Sequence, residues 1–457
     1  MEASVSAETS KRHENEDRIS HLPDHILHYI LSFLPTKFAV GTSILSTRWR
    51  FLWTSVHNLD FCDMLLFSKA TTKKDYLKRK RPFINFVDRV LFLQGKNVSN
   101  VHKFSLTCQD CDAVHFNKWV SNAIKRKVQE LILSITKEHP SVFPHCLFTC
   151  ESLSTLKIKM TVYVAVPSSI CFSLLKVLHL TYIKFFSDQS SVQEVSLNLP
   201  ILEELAFYNC AWLKIKTVNI VVPTLQVLKI ECWSINGSHD CEIKIDAESL
   251  ISLKLEVCTS YKYSLLHLSS LVDSSIKLPS CHRIHNDTTI DRLGSLLGAI
   301  YNVRNLELNV ESIESISSPV FSARMHSLSR LVHLTVLRGS CSTGKKFINM
   351  LCDMLYIETL VLPDGLCSYD FSGDGRILGT TPRCFLSHLK LVDIKDFRGI
   401  NSELWFVKFL VKSVKEVDKL RIRLTRPRSE TRVNWKEQII EKLDKYVKSS
   451  NCVLELI

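Results

Sequence analysis

Leu225-Gln226-Val227-Leu228-Lys229-Ile230 is followed 25 residues later by Leu250-Ile251-Ser252-Leu253-Lys254-Leu255, with apolar residues at the same places. The pattern is an apolar residue, two others, an apolar residue, one other, an apolar residue. It recurs upstream as Val128-Leu131-Leu133, Leu153-Leu156-Ile158, Leu175-Leu178-Leu180 and Leu202-Leu205-Phe207. Downstream it returns as Val303-Leu306-Leu308, Leu331-Leu334-Val336, Ile357-Leu360-Leu362 and Leu386-Leu389-Leu391. With weaker copies at Phe104 and Ile276, the middle positions fall at 104, 131, 156, 178, 205, 228, 253, 276, 306, 334, 360 and 389, spaced 22 to 30 residues apart. In an extended chain successive side chains point to opposite faces, so the last two apolar residues share one face and the residue between them takes the other. A unit this short cannot bury its apolar face alone; copies stacked side by side make one continuous core.

The pattern resembles the leucine-rich repeat, a strand plus a return segment per copy, and predicts an α/β solenoid built on a parallel sheet. The intervening residues, Lys157, His179, Ala206, Lys229, Lys254, Glu307, Thr335, Val361 and Lys390, are then expected on the exposed concave face. Lys157, His179, Lys229, Lys254 and Lys390 are the candidate substrate-binding residues, and their charge predicts a partly basic inner surface. A sandwich of alternating strands would also read apolar-polar-apolar, but the hairpin signals it needs are few: Asn236-Gly237, Asp364-Gly365 and Asp374-Gly375.

Composition narrows the function classes. Of 457 residues, 46% are hydrophobic and 23% charged, which is the profile of a chain with a core. Only 12 are Gly and 13 Pro, little material for Gly-rich phosphate loops. The net charge of +12 favours acidic partners without specifying one. The first 18 residues have no apolar core of a secretion signal, and no stretch is apolar enough to span a bilayer, so the expected location is nucleus or cytoplasm. The 16 cysteines are then expected as mostly free, buried thiols.

Residues 17–60 leave the repeat. Ile26, Leu27, Ile30, Leu31 and Leu34 form an apolar stripe on a helix opened at Leu22-Pro23-Asp24 and stopped by Pro35. Thr36 is expected to cap a second helix carrying Phe38, Val40, Ile44 and Leu45, and Ser46 a third carrying Trp49, Leu52 and Trp53. So much apolar surface on so few residues predicts a partner. The order Leu22-Pro23, then Ile30-Leu31-Ser32-Phe33-Leu34-Pro35, then Leu45-Ser46-Thr47-Arg48-Trp49-Arg50-Phe51-Leu52-Trp53 resembles the F-box in its plant form. The resemblance implies docking on a Skp-type adaptor and, through it, a cullin. Leu22, Pro23, Ile26, Leu27, Ile30, Leu31, Leu34, Pro35, Ile44, Leu45 and Trp49 match the F-box pattern, with Leu22 and Pro23 as the foremost adaptor contacts. Gly41 departs from it, standing where Arg is common.

Toward the C-terminus, Leu404, Val407, Phe409, Leu410 and Val414 fall on one helix face. The run from Pro382 and Cys384 through Leu386, Leu389, Ile394, Phe397, Gly399, Glu403-Leu404, Val407 and Leu410 resembles the FBD domain, which follows leucine-rich repeats in many plant F-box proteins. The expected organisation is an F-box at 17–63, a basic linker with a first helix at 64–99, leucine-rich repeats at 100–380 and an FBD domain at 381–450 as a closing α/β cap.

Three motifs compete with this reading. Gly339 to Lys346 nearly spells a phosphate loop, but Lys346 stands where a Ser or Thr would bind Mg²⁺, and the preceding strand is already a repeat strand. Cys108 and Cys111 have zinc-pair spacing near His115, Cys146 and Cys150 without a second well-spaced pair. The basic cluster Lys73–Arg81 suits an import signal or a solvated linker, and the cluster Lys419–Lys436 suits phosphate or RNA binding or, better, a solvated helix edge. No cofactor, metal, membrane or nucleic-acid partner is expected. The expectation is a non-catalytic substrate-recognition subunit of a ubiquitin ligase, the alternative a stand-alone basic repeat scaffold binding RNA or a phosphorylated ligand.

Overall fold

The repeated triplets become strands with the burial alternation their spacing demands, as in Thr155–Ala165, Val227–Glu231 and Ser252–Glu256. The computed structural model describes residues 19, 21–66, 73–95, 100–136, 143, 145–147, 149–165, 170–186, 194–232, 241–256, 261–278, 287–309, 312, 328–338, 342–354, 356–366, 369–370, 387–414, 417–426, 434–448 and 452–457. The chain divides into two compact units, residues 1–161 and 162–457. Among the described residues no helix is long and apolar enough to cross a membrane.

The first unit opens with the helices Asp24–Ser32 and Thr36–Gly41. The second helix stops at Gly41, short of the expected Ile44 and Leu45, and passes into a 3₁₀ turn, Thr42–Ile44; where a third α-helix is expected stands another 3₁₀ turn, Leu52–Ser55. Leu52, Trp53 and Thr54 of the second turn are all inside. Thr36 does not cap its helix; its hydroxyl accepts the N–H of Asp60 at 2.7 Å, tying the helix to the strand Asn58–Cys62. That strand is a repeat copy the spacing argument missed. Leu59 and Phe61 stand in register with Phe104 and Leu106 of Lys103–Cys108, followed in parallel by Glu130–Ile135 and Thr155–Ala165.

The return segments of this unit are the helices Lys73–Gln94 and Ala113–Lys125. The first is no loose linker, because Phe83, Val87, Val90 and Leu91 are buried. Its end is locked by polar contacts: Gln94 donates to the Val56 carbonyl and accepts from Arg126 Nη1 at 3.0 Å. Trp119 Nε1 donates to Asp88 at 2.7 Å across the two helices.

In the second unit Val177–Phe186, Glu204–Tyr208, Val227–Glu231, Ser252–Glu256, Asp273–Lys277, Asn305–Asn309, His333–Leu337, Thr359–Leu362, Leu391–Phe397, Lys419–Leu424 and Val453–Leu456 lie side by side in chain order. Their pairings are parallel. Up to residue 266 the returns are themselves strands, forming a second parallel sheet of Ile170–Cys171, Glu194–Asn198, Thr217–Val221, Cys241–Asp246 and Tyr261–Leu266. Beyond it they include the helices Asp287–Ala299, Gly344–Asp353, Asn401–Ser413 and Trp435–Val447.

The register corrects two copies. Leu253 pairs with Ser274, so the middle position is 274 and Ile276 is the third apolar residue. Leu360 pairs with Val392, so the middle position is 392 and Leu389 precedes the strand. Asn309 closes its repeat by bonding the backbone of Leu278 on both sides, at 3.1 Å from its N–H and 2.6 Å to its carbonyl.

The C-terminal segment continues the repeat. Its strands extend the front sheet, and Leu404, Phe406, Val407, Phe409 and Leu410 bury one side of the intervening helix. The turn Phe397-Arg398-Gly399 is held by Glu403, whose carboxylate accepts the N–H groups of Arg398 and Gly399 at 2.8 Å each and of Ile400 at 3.3 Å. Burial raises the Glu403 pKa despite those bonds. Gly399 is required there: its φ is +73° and a Cβ would stand 2.1 Å from Ile439 Cδ1.

Candidate docking surfaces

The helix Asp24–Ser32 sorts its apolar stripe into two rows. Leu27 and Leu31 point inward and are 0% and 1% exposed, on a helix packed against the turn that carries buried Leu52 and Trp53; Trp49 is buried too. Ile26, Ile30 and Leu34 point out, and with them Tyr29 and Phe33, whose rings meet edge to face at 4.8 Å. Ile44 is 89% exposed, with Leu45 and Phe38 exposed nearby in the chain. Of the residues matching the F-box pattern, Leu27, Leu31 and Trp49 therefore build the module's core. Ile26, Ile30, Leu34, Ile44 and Leu45 are available for contact, as is exposed Pro23, while Leu22 and Pro35 are half-buried. Tyr29, Phe33 and Phe38 join the outer set; the spacing of Tyr29 and Phe33, four apart, was the available signal.

Arg48 positions the start of the module. Its Nη2 donates to Asp24 and to the Leu22 carbonyl, both at 2.5 Å, which fixes Leu22-Pro23 against the later turns. At Gly41 a Cβ would meet nothing within 4 Å, so a side chain has room to start there.

On the inner face the expected cations are placed as follows. Lys157 lies on the strand Thr155–Ala165 of the first unit and makes no hydrogen bond or ion pair among the described residues. In the second unit His179, Ala206, Lys229, Lys254, Ser275, Glu307, Thr335, Val361, Asp393 and Arg421 follow in register. Asp393, not Lys390, occupies the equivalent place. Lys390 precedes its strand and binds Glu358 at 3.0 Å, because the apolar pair that sets the register is Val392 and Ile394.

Nor is this row simply basic. Glu204 binds Lys229 at 2.7 Å and lies 3.2 Å from His179 Nε2. The Lys229 hydrogen bond holds the Glu204 carboxyl below its usual range and raises the Lys229 pKa in turn. Glu307 accepts from Ser275 at 2.7 Å and pairs with Lys277 at 2.9 Å. Burial opposes its ionisation, but those bonds outweigh it and keep the carboxyl acidic. Arg421 and Lys419 share Glu455, at 3.1 and 2.6 Å. Lys254 is exposed and makes no hydrogen bond or ion pair among the described residues.

The competing motifs are absorbed into packing. Cys108 and Cys111 are buried free thiols, and their mutual hydrogen bond together with burial pushes the Cys108 thiol up. His115 Nδ1 is engaged by Asp112 at 2.8 Å, and among the described residues no group of three or more His, Cys, Asp or Glu side chains is placed to hold a metal. Burial pushes Cys210 and Cys241 up to about 12, out of the range of thiolate chemistry at neutral pH. Gly339 to Cys341 lie outside the described residues; Gly344–Asp353 is a return helix burying Phe347, Ile348, Met350 and Leu351. Gly373 to Gly379, Arg428, Arg432, Pro382 and Cys384 also lie outside them.

Comparison with known proteins agrees with this architecture. The F-box domain model matches residues 19–61 and the FBD model residues 379–419. An F-box/LRR-repeat protein of Arabidopsis thaliana is 30% identical over 362 residues, covering 76% of this chain and 91% of the relative. A relative named as an FBD-associated F-box protein, from the same plant, is 29% identical over 425 residues, 89% of this chain and 92% of its own. A module with an exposed apolar face, a stack of parallel repeats and an FBD segment that prolongs the stack are thus the parts of one lineage: the chain belongs to the plant F-box/leucine-rich-repeat family with a C-terminal FBD domain.

Proposed function

We propose that the chain is the non-catalytic substrate-recognition subunit of an SCF-type (Skp-cullin-F-box) ubiquitin ligase, acting in the nucleus or cytoplasm. The observation that carries the reading is that residues 21–56 fill their own core with Leu27, Leu31, Trp49, Leu52 and Trp53 and still leave Ile30, Phe33, Ile44 and Leu45 exposed. Apolar surface left exposed beyond a filled core fits a protein partner, and an F-box implies a Skp-type adaptor. The repeats would hold a target protein on their inner face and loops, where Lys157 and Lys254 are among the cations that make no hydrogen bond or ion pair within the described residues. The subunit supplies no reacting group; it raises the local concentration of target lysines at the ubiquitin-charged enzyme.

The test is capture of a Skp-type adaptor by the full chain. Ile44→Asp with Leu45→Asp is expected to abolish capture and leave the thermal midpoint within about 2 °C, because both side chains lie outside the core. Undiminished capture by that variant would refute the docking face. The alternative, a stand-alone basic scaffold for RNA or a phosphorylated ligand, is weakened by the pairing of Lys229, Lys277 and Lys390 with carboxylates.

A further inference from the structure

Between the strand Tyr261–Leu266 and the helix Asp287–Ala299 the returns of the second unit change from strands to helices, and a groove of about 700 Å³ opens at the changeover. Three back-sheet strands finish together there, since Val221, Asp246 and Leu266 are register partners. Gly298 and Ala299, at the end of the helix, are in its wall. The size falls in the range of specific ligand sites, about 300–1,000 Å³.

Two kinds of group face this space. Val221, 56% exposed, and Tyr301, 51% exposed, are large apolar side chains left in solvent at its rim. The polar groups include Asp246, Glu248 and His267. His267 Nδ1 engages Asp246 at 3.0 Å, whereas Glu248 makes no hydrogen bond or ion pair among the described residues. The helix end adds partial negative charge of the same sign. In a chain of net charge +12 this is a local field opposed to the whole, and its complement is a cation.

We infer that the groove takes a lysine or arginine side chain from a protein segment with apolar residues on either side. The cationic head meets Glu248 and Asp246, while the methylene stem and apolar neighbours cover Val221 and the Tyr301 ring. That the segment belongs to the protein held by the repeats rests on the receptor reading; the binding itself does not.

The measurement is fluorescence anisotropy of the labelled peptide Gly-Leu-Arg-Phe-Lys-Leu-Gly with the full chain, against a counterpart with Glu at both basic positions. The basic peptide is expected to bind and the acidic one not. Glu248→Lys and Tyr301→Ser should each weaken binding about tenfold or more, and Glu437→Lys, a charge reversal on the helix Trp435–Val447, should leave it within about twofold. Equal binding of the two peptides, no binding at millimolar concentration, or indifference to Glu248→Lys overturns the inference. So does displacement by arginine ethyl ester at the peptide's own concentration, which would assign the groove to small amines. Peptide binding with failed adaptor capture would sink the receptor reading and leave the groove standing.

Discussion

Ser274 occupies a column of leucines. Its register partners are Leu253 and Leu306, it is 4% exposed, and its hydroxyl has no hydrogen-bond partner among the described residues. An unsatisfied buried polar group costs about 1–3 kcal/mol, so Ser274→Ala is expected to stabilise the chain by about 1 kcal/mol, read as a higher urea midpoint at unchanged slope. A lower midpoint would mean the hydroxyl has a partner. This residue also explains the shifted register of its copy: with a serine where the pattern wants an apolar residue, spacing alone points to Ile276 as the middle position. Sequence spacing likewise could not sort Ile26 from Leu27 or Ile30 from Leu31, because neighbouring apolar residues look alike until the turn at Leu52–Ser55 decides which of them it covers.

At the level of the strand, the inner face behaves as a ladder of neutralising pairs. Glu204 on one strand answers Lys229 on the next. Because Lys229 lowers the folded-state pKa of Glu204, the pair adds stability that is present above the unfolded value of about 4.3 and is lost as pH falls through the lower folded value. Glu204→Gln should remove that acid-side loss, with a difference at pH 7 under about 1 kcal/mol since both side chains are about one-quarter exposed. Urea titrations at pH 3 to 7 check it; identical pH profiles for the two proteins would show the pair contributes nothing. The front strands could be read from sequence because two leucines must flank one outward residue. The back strands carried a signal too, in Val195-Ser196-Leu197, Val218-Asn219-Ile220 and Ile243-Lys244-Ile245, but spacing between the front copies alone does not distinguish a strand return from a helical one. The chain's charges invite the same lesson: single lysines could be counted, but the carboxylate partners of Lys229, Lys277, Lys390 and Lys419 come from the neighbouring coil, 25 to 36 residues away.

For the molecule as a whole, the FBD segment is part of the stack. The strand Leu391–Phe397 is hydrogen-bonded to Thr359–Leu362, and Phe406 meets Phe347 at 5.6 Å. A chain ending at residue 380 would leave that sheet edge and Phe347 uncovered, and it is expected to aggregate or to melt at least about 5 °C lower than the full chain. Size-exclusion chromatography with a thermal melt decides; a monomeric truncation with an unchanged midpoint would make the FBD a separate folding unit. At the other end, the strand Asn58–Cys62 belongs both to the docking module and to the first parallel pair. The helices with the exposed apolar face and the first coil of the first unit therefore have no swivel between them. Within that unit the chain is a bracket and not a tether, so anything held on its strands would keep a fixed register to the exposed apolar face, with no search over a flexible arc.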